Sequence, residues 1–207
     1  KSMKLRFKDP TINYLLLILV ILAVGFELFL PGRKFLNIAN FQSMAFQVPE
    51  LGILAIAMMI TMLSGGINLS IIATANMTAI TIAYILTRFI EEGATGVGPV
   101  FVMIVAVLTG LLIALLVGLV NGIIIAYVGV SPILATLGTM TLIEGLNVAL
   151  TRGDVISGFP KPILFIGNGV VLGIPMPILI FVACALVVAL FLNRTPFGVS
   201  VYMMGSN

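Results

Sequence analysis

An all-α, polytopic membrane protein with about six transmembrane spans is the fold class this sequence predicts, and three observations predict it. Charged residues make up 8% of the 207 and hydrophobic residues 61%, whereas an average soluble domain is about 25% charged. A soluble fold of this size could not cover its surface with so little charge, which excludes a water-soluble enzyme. The apolar residues also fall in runs of roughly 20, the length that crosses a hydrocarbon core about 30 Å thick. Finally, 21 Gly and 11 Met suit close-packed, adaptable membrane helices.

Thr11–Leu30 is the first run, and Phe41–Leu63 the second, expected to be broken near Pro49. Leu69–Phe89 is third, and Pro99–Val128 fourth, long enough to tilt or bend. Pro132–Leu150 and Pro175–Leu192 complete the set. Pro10, Pro49, Pro99, Pro132 and Pro175 stand near run starts, where a missing N–H costs nothing. Between the last two runs, Thr151–Ile174 carries Gly153, Gly158, Gly167, Gly169, Pro160 and Pro162, so it reads as a folded cap or docking surface rather than a span. Residues 1–207 read as a single transmembrane domain, with no internal repeat and no low-complexity tract.

Lys1, Lys4, Arg6 and Lys8 precede the first run and place the amino end in the cytoplasm by the positive-inside rule. Six crossings then return Asn193-Arg194-Thr195 to the cytoplasm and leave Thr151–Ile174 outside. Arg33, Lys34, Arg152 and Lys161 fall in outer loops, against the bias.

The remaining counts exclude whole classes of chemistry. With no His, histidine metal sites, Ser-His-Asp triads and histidine proton shuttles are absent. Cys184 is alone, so neither a disulfide nor a thiolate cluster can form within the chain. A net charge of +3 gives no nucleic-acid footprint.

Polar residues inside the apolar runs need a reason, because lipid offers them no partner. Ser70, Thr74, Thr78, Thr81 and Arg88 share one face of the third run. That face suits the wall of a watery path, or hydroxyls bonded back to carbonyls one turn earlier. Thr141, Glu144 and Asn147 recur every three residues in the fifth run. Glu144 lies about 9 Å from the run's outer end at about 1.5 Å per residue. It must face protein or water, because hydrocarbon would cost it up to about 3 kcal/mol. The fourth run carries Gly110, Ala114, Gly118 and Asn121 on one stripe, and Gly118 with Gly122 forms a GxxxG, the mark of a packing face. Asn121 on that stripe suits interhelical glue or a cavity. Glu27 can snorkel from the end of the first run, and Glu50, after Pro49, suits a helix start where the dipole favours a negative charge.

The most informative stretch is Leu63-Ser64-Gly65-Gly66-Ile67-Asn68-Leu69-Ser70. Paired glycines between apolar runs break a helix, and Asn68 or Ser70 can cap the next one. Irregular backbone at membrane depth is tolerated where it is buried in protein or lines a cavity.

SGGINLS resembles the GIDLS-type signature of inner-membrane permease subunits of monosaccharide ABC importers, the ribose, xylose and galactose type. PILATLGTMTLIEGLNVALTRGDVISGFP and NRTPFGVSVYMMGSN are similar to two further stretches of that family, in the same order. The family usually has an acid where this chain has Asn68, and its members are longer, so the chain reads as an amino-terminal portion. The resemblance implies alternating access in the bacterial inner membrane. The implied partners are a second permease subunit, identical or related, separate ATP-binding ATPase subunits, and a periplasmic substrate-binding protein; no nucleic acid is involved.

ATP and Mg then belong to the ATPase. This chain has no GxxxxGK[ST] loop, and neither a cofactor nor a metal is expected in it. Asn68, Thr74, Thr78, Asn121, Glu144 and Asn147 are the candidate pathway residues. Arg194, Gly198, Gly205, Ser206 and Asn207 fall on the ATPase side, and Arg152, Asp154 and Lys161 in the docking loop. An uncharged sugar fits a path supplied with Thr, Ser and Asn rather than ion pairs. Other substrates of such permeases are nucleosides, a furanose-derived signal molecule and branched-chain amino acids. A channel or an ion-coupled secondary transporter would need a relay of membrane acids, for which only Glu144 is well placed. A structural scaffold explains the glycines but not the three motifs, and an intramembrane enzyme without His would have almost no acid–base machinery.

Overall fold

The computed structural model describes residues 10–29, 35–90 and 96–205. In chain order its elements are α1 (Pro10–Phe29), α2 (Ile38–Leu63), α3 (Ile71–Phe89), α4 (Val97–Ile123), a π turn (Ile124–Val128) and α5 (Pro132–Thr151). Then follow α6 (Lys161–Asn168), β1 (Val170–Val171), β2 (Ile174–Pro175), α7 (Met176–Arg194) and α8 (Pro196–Gly205). Among the described residues, six helices are long and apolar enough to cross a membrane, namely α1, α2, α3, α4 with its π turn, α5 and α7. The chain is a multi-pass, all-α membrane protein. Exposed leucines such as Leu15, Leu19, Leu111 and Leu115 would be a liability in water, but they suit a lipid surface.

Local chemistry sets the helix ends. At the start of α5, Ser131 Oγ accepts from Leu134 N at 3.4 Å and Pro132 takes the first helical position, where its missing N–H is no loss. α4 widens into the π turn and stops at Gly129, whose φ of 77° is left-handed and whose N–H donates to Ile124 O. The expected break at Pro49 is absent. α2 runs from Ile38 to Leu63 with a buried Pro49 inside it, and Glu50 is exposed in mid-helix rather than at a helix start. Within a continuous helix, neighbouring groups re-satisfy the backbone that a proline frees. The interruption comes at Ser64–Ser70 instead.

The chain divides into two compact units, Lys1–Gln47 and Val48–Asn207. In the first, Glu27 Oε2 accepts from Leu36 N at 2.8 Å, and the Phe26 and Phe35 rings lie 5.3 Å apart. Glu27 therefore ties the end of α1 to the backbone at Leu36.

In the second unit α3 is central, packing on both α4 and α5. Leu86, Ile90 and Ala106 form a buried cluster under Phe159 and Ile163, so the Thr151–Ile174 connection is indeed a folded cap. It comprises α6 and a two-stranded hairpin pairing Val170 with Pro175 and Val171 with Ile174. Gly110 allows the close approach of α3 and α4, since a Cβ there would lie 2.7 Å from Ile82 Cδ1. The GxxxG pair behaves otherwise. A Cβ on Gly118 or Gly122 would meet nothing within 4 Å, so the packing face ends before them.

Candidate functional site

The site grows from the break after α2. Gly65 adopts φ 88°, and its N–H donates to Met62 O while Gly66 N–H donates to Thr61 O, both at 3.1 Å. This is a Schellman closure that satisfies the last carbonyls of α2. Asn68 then opens α3, its Oδ1 accepting from Ser70 N at 2.9 Å and from Ser70 Oγ at 2.7 Å.

Three helices converge on that turn. Asn121 of α4 donates from Nδ2 to Ser70 Oγ at 3.0 Å, and its Oδ1 accepts from Thr139 Oγ1 of α5 at 2.6 Å. Donors and acceptors therefore run in one sense, from Thr139 through Asn121 and Ser70 to Asn68, and each bond polarises the next. Ser70 is 1% exposed and Asn121 4%, so these bonds replace water that neither group can reach. One turn earlier on α5, the buried Thr136 hydroxyl accepts from Leu69 N at 3.1 Å and donates to Pro132 O at 2.7 Å.

Beside this network lies a cavity of about 280 Å³, at the small end of ligand sites. Thr61 at the end of α2 and Ser64, Gly65, Gly66, Ile67 and Asn68 of the break form one wall. Gly118, Asn121, Gly122 and Ile125 of α4 with its π turn, and Pro132 and Thr136 of α5, form the rest. No lining residue is charged, and the polar ones carry only hydroxyls and amides. Asn68 Nδ2 makes no hydrogen bond among the described residues, so one amide donor of the lining is unspent. The open space over Gly118 and Gly122 is part of this cavity, which is what the GxxxG provides in place of packing.

The other expected site residues lie apart. Thr74 and Thr78 are half-buried and bond back to Ser70 O and Ala75 O at 2.7 Å, as Thr81 does to Met77 O at 2.9 Å; Arg88 is exposed. Asn147 is buried, with Nδ2 3.3 Å from Ala73 O and an Oδ1 that has no partner. Glu144, one turn before it, is exposed and unbonded among the described residues; Thr141 is exposed too and bonds back to Gly138 O at 2.9 Å. Arg152, Asp154 and Lys161 are exposed at the end of α5 and the start of α6, and Arg194 is exposed at the end of α7. Gly198 and Gly205 occupy tight backbone contacts at the two ends of α8. Ser206 and Asn207 lie outside the described residues. Among the described residues, no three of His, Cys, Asp and Glu could hold a metal ion.

Sequence reasoning missed Thr136 and Thr139. Their spacing of three on the first half of α5 is the same signal that drew attention to Thr141, Glu144 and Asn147 on the second.

Residues 40–207 match the family described as branched-chain amino acid transport system / permease component. The chain belongs to this permease family. It is 35% identical over 176 residues to the ribose import permease protein RbsC of Bacillus subtilis (strain 168), covering 84% of this chain and 51% of that protein. It is 33% identical over 196 residues to the autoinducer 2 import system permease protein LsrD of Escherichia coli (strain K12), covering 92% and 56%. Its identity to the LsrD of Photorhabdus luminescens is 29% over 163 residues, covering 76% and 46%. The chain thus spans about half the length of the curated relatives it matches. No solved structure matches it. The permease family expected from the three sequence motifs is the one found, and the first of those motifs, Ser64–Ser70, forms the break that lines the cavity.

Proposed function

We propose that this chain is a transmembrane permease subunit of an ATP-binding-cassette importer, and that it passes a sugar across the bacterial inner membrane. The observation that carries the reading is an uncharged cavity whose glycine, isoleucine and proline walls carry hydroxyls and amides as their polar groups, within a chain of the permease family. A polyhydroxylated neutral solute exchanges hydrogen bonds with such a lining and needs no counter-ion. A zwitterionic amino acid would bring an ammonium and a carboxylate into a site with no charged partner, at a desolvation cost of several kcal/mol. This favours a sugar over the branched-chain amino acids of the family description. A solute of the autoinducer 2 kind is the second reading, favoured by the LsrD relatives.

In this reading a periplasmic binding protein delivers the solute to the α5–α6 side, where Arg152, Asp154 and Lys161 are exposed. A second permease subunit completes the path, and separate ATPase subunits hold ATP and Mg and act near α8. The basic cluster Lys1, Lys4, Arg6 and Lys8 supports a cytoplasmic amino end. The cavity then opens toward the cytoplasmic half, where the solute would leave.

Uptake of labelled ribose, autoinducer 2 and leucine by intact cells carrying the complete permease tests this. Sugar uptake lost when the ATPase partner's phosphate-binding lysine is mutated is the expected result. Uptake that survives that mutation but collapses with an uncoupler overturns the importer reading.

A further inference from the structure

We infer that α8 sets the position of the cavity-lining segment Gly65–Asn68 through a backbone contact at Gly205, so that displacing α8 reshapes the cavity; Gly65 and Gly205 are positioning residues for translocation. The inference rests on the importer reading only where it invokes uptake.

α8 is held at its start by a hydroxyl, a ring pair and a close backbone approach, and at its far end by backbone alone. At its start the Thr195 hydroxyl accepts from Gly198 N at 3.2 Å and donates to Phe191 O at 2.6 Å. Gly198 is buried, and a Cβ on it would overlap the Leu192 carbonyl. The Phe191 and Phe197 rings, 5.6 Å apart, brace the same corner. At the far end a Cβ on Gly205 would overlap the carbonyl oxygen of Leu63, the last residue of α2. A Cβ on Gly65 would lie 3.6 Å from Gly205 Cα.

From that contact the path into the cavity is short. Gly65 is itself a cavity wall, and its neighbour Gly66 rests on Pro132 of the opposite wall, where a Cβ would lie 3.3 Å from Pro132 Cβ. Beyond Gly66, Leu69 N is tied to Thr136. Backbone pressed on backbone has no rotamer with which to absorb a shift. Movement of α8 therefore either carries Gly65–Gly66 with it or opens the Schellman closure over Thr61. Gly65 cannot readily be exchanged, because its φ of 88° strains any residue with a side chain.

The test uses the full-length permease with Cys184→Ser and Thr61→Cys, labelled with a membrane-impermeant maleimide in inside-out vesicles. Gly205→Ala and Gly65→Ala should each raise the Thr61→Cys labelling rate about fivefold, the factor that a loss of ~1 kcal/mol in the contact gives. Gly145→Ala, whose Cβ would meet nothing within 4 Å, should leave the rate unchanged. Unchanged labelling in well-folded Gly205→Ala and Gly65→Ala proteins overturns the inference. If those variants do not fold, amide hydrogen exchange on the unsubstituted protein decides. Residues 61–68 and 196–205 losing protection together across a denaturant series supports the contact, and independent loss overturns it. Uptake is the dependent arm: slowed maximal uptake at unchanged half-saturation is expected in Gly205→Ala. Absence of uptake in the parent would sink the importer reading while the labelling result stands.

Discussion

Asn121 of α4 donates a hydrogen bond to Ser70 at 3.0 Å, joining residues 51 apart in sequence at the irregular break between α2 and α3. Through its other amide atom Asn121 also holds Thr139, so one side chain ties three helices together. Removing it takes a bond from the buried Ser70 hydroxyl and leaves the half-buried Thr139 hydroxyl only its bond to Ala135 O. Asn121→Ala should cost about 1–3 kcal/mol in detergent thermal unfolding. A double-mutant cycle with Thr139→Val should show coupling of at least about 0.5 kcal/mol. Strict additivity would mean that the two side chains do not share a network.

The glycines of α4 should divide sharply. Gly110→Leu drives a side chain into Ile82 and should destabilise the protein by about 1–3 kcal/mol. Gly118→Ala, facing open space inside α4, should hold the unfolding temperature or raise it, by no more than the ~1 kcal/mol of helix propensity that Ala has over Gly. Because Gly118 lines the cavity, larger residues there should reduce uptake while the unfolding temperature holds. Equal destabilisation by both substitutions would restore the GxxxG packing face.

Thr136→Val keeps the shape of a side chain that is 1% exposed but strands Leu69 N–H, and should cost about 1–3 kcal/mol. Thr136→Ser retains the hydroxyl and should recover most of the hydrogen-bond part of the loss. The comparison of the two unfolding temperatures separates the hydrogen bond from packing, and a Ser variant no better than Val would assign the effect to packing alone.

Glu144 is the acid best placed for ion coupling, and it is exposed with no ionic partner among the described residues. In the importer reading, Glu144→Gln should leave ATP-dependent uptake insensitive to an uncoupler and within about threefold of the parent, because Glu144 is exposed and does not line the cavity, and such a surface substitution shifts free energies by about 0.5 kcal/mol or less. Abolished uptake with an intact ATPase response would instead give Glu144 a direct part in translocation.

How far the site could be read from the sequence follows from the kind of signal each residue carries. Ser64–Ser70 was legible because glycine pairs and an Asx residue act locally, through φ and through short-range hydrogen bonds. Asn121 was legible as a costly polar group in an apolar run. Its partners were not, since nothing in the order of residues pairs position 121 with 70 and 139. Pro49 misled because a proline ends a helix reliably only when its freed carbonyl has no other recourse, and within α2 the helix continues. Gly118 and Gly122 misled for a related reason: GxxxG permits close approach but does not supply the helix that approaches.

By itself the sequence determined the number of spans, the irregular break between the second and third, and the family. These follow from run length, local backbone preference and ordered motifs. Only the tertiary structure decided that Glu144 is exposed while Asn147 is buried, that Gly110 packs while Gly118 opens on a cavity, and that Gly205 rests on the end of α2. The physical reason is the solvent. In water, a buried face announces itself by being apolar against a polar one. In lipid, the outward and inward faces of a helix are both apolar, so periodicity says little about which way a residue points, and helix packing alone assigns it.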